Sequence, residues 1–168
     1  QGDEPFIKAE NIELALNNPF RAKTLLVKSK LVAPDDVETW SLLGQTYTVL
    51  GELQLAEDYL KDVIDSDKEN PQPLFELAKL EILTGKFPQA ITHLQLAKSI
   101  DANISFIVLL AEAFQQNNQF EQALEQLDLA LILQSDDSVL HLKKGILLGQ
   151  LEQHLLAKES LEQSLKLN

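Results

Sequence analysis

The chain has 168 residues, and 26 Asp and Glu against 14 Lys and Arg leave a formal charge of −12 at neutral pH. Apolar residues make up 45% and charged residues 24%, enough to bury a core and too apolar for a disordered chain. So negative a field repels phosphate backbones and anionic headgroups, which argues against nucleic acid and peripheral membrane binding.

Along the chain the apolar residues recur every three or four positions, the spacing of one helical face, and a longer period lies on top of it. Ala22, Ala56, Ala90, Ala123 and Ala157 follow one another at spacings of 34, 34, 33 and 34 residues. Gly51, Gly85, Asn118 and Glu152 stand five residues before these alanines. Leu26, Leu60, Leu94, Leu127 and Leu161 stand four after them, and Leu43, Leu77, Leu110 and Lys144 thirteen before. Each period reads as two helices. The first, residues 1–36, is degenerate: Ala22, Leu26 and Pro34 keep the pattern, and Asn17-Asn18-Pro19 replaces its turn. The second, 37–70, follows Pro34-Asp35-Asp36, where Asp35 and Glu38 have the spacing of a capping box. The third, 71–103, opens on Asn70-Pro71, a capping side chain and a first-turn proline. The fourth spans 104–137 and the fifth 138–168, the latter after a second acid pair, Asp136-Asp137. Gly51, Gly85 and Asn118 suit a left-handed turn inside each hairpin. One domain over residues 1–168 is expected.

The run Trp40-x-x-Leu43-Gly44-x-x-Tyr47, followed by Ala56-x-x-x-Leu60, closely resembles the tetratricopeptide repeat, with Leu60 where the family pattern has Phe. The third repeat keeps Leu77-Ala78, Gly85, Phe87, Ala90 and Ala97, with Leu74 for the Trp and Glu81 for the Tyr. The fourth keeps Leu110-Ala111, Phe114, Phe120, Ala123 and Ala130; the fifth keeps Gly145 and Ala157 but has His141, Lys144 and Leu148 in conserved-type slots. The resemblance implies an all-α fold, a right-handed α-solenoid of about five stacked helix-turn-helix hairpins whose inner wall is made of the first helix of each pair. Small residues at Gly44, Ala56, Ala78, Ala90, Ala111 and Ala123 let helices approach closely, and larger ones fill the gaps between hairpins.

No catalytic motif, phosphate loop or dinucleotide fingerprint is present, so neither an enzyme nor a cofactor is expected. His141 and His154, in slots held elsewhere by Trp40 and by Phe87 and Phe120, are expected to pack within their hairpins rather than bind metal. Without Cys there are no disulfides or thiolate sites, and no run reaches the ~20 apolar residues of a membrane span. The bacterial periplasm and the cytoplasm fit equally. Lacking any Met, the chain reads as a processed or excised segment, with Gln1 and Gly2 as a tag remnant.

What the resemblance implies for function is a non-catalytic protein–protein interaction module, an adaptor or assembly factor that holds a partner polypeptide in its groove. Projecting the register places Gln45, Val49, Phe75, Glu76, Lys79, Ile82, Val108, Leu109, Glu112, Leu142, Lys143 and Ile146 there. Flanking groove positions include Leu42, Leu83 and Val139. Phe75, Ile82, Val108, Leu109, Leu142 and Ile146 equally suit a core. Chaperone-binding members of the family clamp a terminal carboxylate with Lys, Asn and Arg. The matching slots here hold Ser41, Gln45, Glu76, Ser105 and Leu109 in one register, and Phe75, Lys79, Leu109, Val139 and Lys143 in the next, so no clamp is expected. An apolar strip edged by Glu76 and Glu112 suits an amphipathic segment with basic flanks. The alternative is an oligomerisation scaffold, a homo-oligomer formed through the terminal hairpins with Leu161 and Leu165 in the stripe that another hairpin would cover.

Overall fold

Side-chain caps and left-handed turns punctuate the chain in alternation, and nine helices lie between them among residues 17–168, the part that the computed structural model describes. Residues 1–16, including Gln1, Gly2 and the first helix expected of the first repeat, lie outside the described residues. The helices are α1 (Pro19–Val32), α2 (Val37–Val49), α3 (Leu53–Ser66), α4 (Pro71–Leu83), α5 (Phe87–Ile100), α6 (Ile104–Gln116), α7 (Phe120–Leu133), α8 (Ser138–Gln150) and α9 (His154–Leu167). The described residues contain no strand.

Helices that open a repeat carry side-chain caps. Asp36 accepts from the Thr39 N–H and hydroxyl, Asn103 from the Ser105 N–H at 2.8 Å, and Asp137 from the Val139 and Leu140 N–H groups at 2.8 and 3.1 Å. The cap of α2 is thus Asp36, one residue later than the Asp35–Glu38 spacing suggests. Asp35 is exposed in the turn. The helices that close the second to fifth repeats, α3, α5, α7 and α9, have no side-chain cap, because the turn before them closes on its own backbone, whereas α1 is capped by Asn18, which accepts from the Arg21 N–H at 3.1 Å. The N–H of Glu52, Lys86, Gln119 and Gln153 donates to the carbonyl of Tyr47, Glu81, Phe114 and Leu148 at 2.7–2.9 Å. That geometry needs a left-handed residue, and Gly51, Gly85, Asn118 and Glu152 supply it at φ of 75°, 75°, 59° and 59°.

The chain divides into two compact units, Gln1–Leu80 and Glu81–Asn168, with the division inside α4. In the first unit, Ala22, Leu26, Leu42, Leu43, Tyr47, Ala56, Leu60, Leu77 and Leu80 form one buried cluster. Each fully buried leucine there contributes about 1.5–3 kcal/mol. A Cβ built on Gly44 would stand 3.0 Å from Leu60 Cγ, so α2 and α3 approach closely here and a larger residue would require Leu60 to shift. In the second unit, Ala90, Leu94, Ile107, Leu110, Ala123, Leu127, Leu140 and Leu147 are buried, and Ala157 continues the alanine ladder. Gly145 is closer still to its neighbour: a Cβ would meet Leu161 at 2.7 Å.

Candidate protein-binding faces

None of the twelve residues projected into the groove is buried, whereas Leu43, Leu77, Leu110 and Leu147 beside them on the same helices are. Leu42, a flanking position in the projection, is buried in the first unit's core instead.

In the first unit, Gln45 and Val49 are exposed on α2. Phe75, Glu76 and Lys79 come together on α4. The Lys79 ammonium lies 2.8 Å from a Glu76 oxygen and 5.3 Å from the centre of the Phe75 ring. Glu76 also accepts from the Gln72 amide at 3.0 Å. Leu74 is buried while Phe75 is half-buried, so the two adjacent side chains diverge as a helix requires. A second cluster locks α1 onto the next hairpin. Tyr47 and Tyr59 stack at 5.6 Å, Lys23 and Lys30 lie over their rings, and Lys23 meets Glu52 at 2.6 Å. Burial lifts the Tyr47 phenol above its ordinary 10.0, with the neighbouring Tyr59 adding and Lys23 opposing. The hydrogen bond to Glu52 raises the Lys23 ammonium.

In the second unit, Ile82 is half-buried at the end of α4, and Val108, Leu109 and Glu112 are half-buried on α6. On α8, Leu142 is 43% and Ile146 51% exposed. Lys143 reaches across to Glu112, their charged atoms 3.9 Å apart. The Gln115 amide donates to Gln150 at 2.6 Å and ties the same two helices together. No ladder in the sequence marks Gln115 or Gln150, so this link was not legible there. His141 keeps the role of Trp40: each ring nitrogen reaches a carbonyl six residues back, Ser135 at 2.8 Å and Pro34 at 2.9 Å. His154 differs from expectation. As the first residue of α9 it is exposed, whereas Phe87 and Phe120 in the same slot are half-buried.

Among the described residues no group of three or more His, Cys, Asp or Glu is placed to hold a metal, and no helix is long and apolar enough to cross a membrane. The tetratricopeptide repeat family model matches residues 37–70, α2 and α3 with the turns around them. Residues 37–70 carry a tetratricopeptide repeat. Comparison with curated proteins finds no match. Among solved structures, a crystal structure of MamA is similar with a TM-score of 0.81 at 18% identity, over 87% of this chain and 86% of that one. MamA from residue 41 onward, from Desulfovibrio magneticus RS-1, gives a TM-score of 0.89 at 16% identity, over 99% and 96%. YrrB, described as a TPR protein with an unusual peptide-binding site, gives 0.81 at 16% identity, over 98% and 85%. Likeness at these identities shows the fold: an all-α tetratricopeptide-repeat solenoid.

Proposed function

We propose that this chain is a non-catalytic adaptor or assembly factor that holds an amphipathic, basic-flanked polypeptide segment against the first-helix faces of its repeats. In the second unit that face is built on α6 and α8. The observation that carries the reading is the division of labour on those helices. Leu110 and Leu147 fill the core while Val108, Leu109, Leu142 and Ile146 stay partly exposed around one ion pair. In the first unit, Gln45, Val49, Phe75, Glu76 and Lys79 take the same part.

A photo-crosslinking residue in place of Leu142, in the native host, tests it. One heterologous protein whose crosslinking is abolished by Leu109→Glu, with helicity and melting unchanged, is the expected result. If Leu109→Glu unfolds the chain, or leaves the crosslink intact, the reading fails. A second reading, self-association, is favoured by Leu155 and Leu165, exposed on α9 at 81% and 76%. It requires crosslinks to another copy of the chain and a concentration-dependent mass.

A further inference from the structure

The α6 and α8 face is nearly free of charge. Glu112 is the single ionisable residue of α6, a helix otherwise built from apolar and neutral polar side chains. On α8 there are three: His141, Lys143 and Lys144. Two are engaged elsewhere, the His141 ring with the Ser135 carbonyl and Lys144 with Asp128 of α7 at 2.7 Å. One acid and one base therefore remain on the face, and they meet. Their contact is loose: 3.9 Å, with both side chains 41% exposed, against 2.6–2.8 Å for Lys23–Glu52, Lys144–Asp128 and Lys79–Glu76. A pair of this kind opens easily, because water and salt screen it at little loss.

We infer that this face selects a partner segment presenting an arginine among apolar side chains, Glu112 taking the guanidinium while Lys143 swings away to the rim. The inference rests on the peptide-binding reading of the same face. Three considerations favour arginine. A chain of charge −12 draws basic segments and repels acidic ones before contact. A guanidinium offers Glu112 two parallel hydrogen bonds at about 2.7–2.9 Å, which the distant Lys143 ammonium does not. Its weak hydration suits a site flanked by Val108, Leu109, Leu142 and Ile146, where a lysine would keep its water. Lys143 then acts as a counter-selective element: it repels the arriving cation, and a segment that displaces it must offer something better.

The test uses the full chain and three fluorescent amphipathic peptides identical except at two positions, which carry Arg, Gln or Glu, at about 0.15 M salt so that long-range steering is screened. Anisotropy titrations are expected to rank Arg above Gln by about tenfold, with Glu weakest. Glu112→Gln should erase the Arg-over-Gln advantage, and Lys143→Gln should tighten Arg binding about threefold, both variants melting like the parent. If Glu112→Gln leaves the Arg-over-Gln ratio unchanged, or if the Glu peptide binds best, the inference is overturned. If the Gln peptide binds and Leu109→Glu abolishes it while Arg adds nothing, the binding face stands and the arginine selection falls. If no peptide binds, both fall.

Discussion

The positions of Tyr47 and Tyr59 recur 34 residues later as Glu81 and His93, and the two units solve the same packing problem with opposite chemistry. In the first unit two phenol rings stack at 5.6 Å and each carries a lysine over its face. In the second unit, the His93 Nδ1 lies 2.8 Å from a Glu81 oxygen, with Glu81 only 3% exposed. Stacking gains area and a modest aromatic contribution and tolerates small shifts. A buried carboxylate is stable only while its partner is in place, so it fixes the helix register through the cost of breaking it. The repeat thus specifies a shape to be filled at these two positions, and either chemistry fills it.

The largest effect expected from breaking this contrast is at His93. His93→Ala should cost about 2 kcal/mol, the range for a buried hydrogen-bonding group left without its partner, here Glu81. Adding Glu81→Leu should recover more than half of that loss, since removing both partners leaves no buried group unmatched. Urea unfolding of the two single variants and the double variant provides the cycle. Additive losses would mean that the two residues do not act as a pair. By comparison, Tyr59→Leu should cost about 1 kcal/mol, the part lost being area and stacking alone.

Next in size are Gly44 and Gly145, the two helical glycines with a close neighbour. Gly44→Ala pushes a methyl to 3.0 Å from Leu60, which is fixed in the first unit's core, while Gly145→Ala comes to 2.7 Å of Leu161, half-buried on the last helix. Overpacking should outweigh the helix-propensity gain of alanine in both, leaving net losses of about 1–2 kcal/mol. Leu161→Ala should rescue Gly145→Ala, whereas Leu60→Ala should not rescue Gly44→Ala, because it opens a core cavity. Thermal melts of the four variants decide the matter, and equal rescue at both sites would show the two hairpins to be equally yielding.

How far this was legible follows from what each residue contacts. The alanine and leucine ladders are set by helix contacts inside and between hairpins, and such contacts repeat with the sequence period. The all-α repeat reading therefore came directly from spacing. Exposure of the groove residues is a weaker signal, since one position of helical phase moves a side chain by about 100°. The misplaced Leu42 shows that error. The capping residue was missed by one position because Asp35 and Asp36 are both good caps, and only the backbone chooses between them. The Gln115–Gln150 bond and the Glu112–Lys143 contact join residues 35 and 31 apart, off the repeat period, and no pattern in one sequence announces them.

The hairpin turns give a smaller effect. Glu152 holds the left-handed conformation that Gly51 and Gly85 hold without strain. Glu152→Gly should stabilise by about 0.5–1 kcal/mol, the relieved strain exceeding the entropy glycine loses on folding, and Asn118→Gly by less, asparagine tolerating that conformation better. A loss of stability at Glu152→Gly would mean that the side chain contributes more than its backbone costs.

The smallest effect separates the aromatic pair from the hydrogen-bonded Glu81–His93 pair by pH. The folded-state phenol of Tyr47 lies above 10.0, so above pH 10 an unfolded chain releases that proton while the folded chain keeps it. The unfolded state then binds fewer protons, and stability, fully present below pH 10, falls as pH rises through the folded value. Lys23, raised above 10.5, adds a decline of the same sign in the same window. Tyr47→Phe should therefore flatten the stability profile between about pH 9.5 and 11 without levelling it, Lys23 continuing to contribute. Urea midpoints at half-unit intervals of pH measure this. An unchanged slope in Tyr47→Phe would remove the phenol from the alkaline decline and from the contrast between the two units.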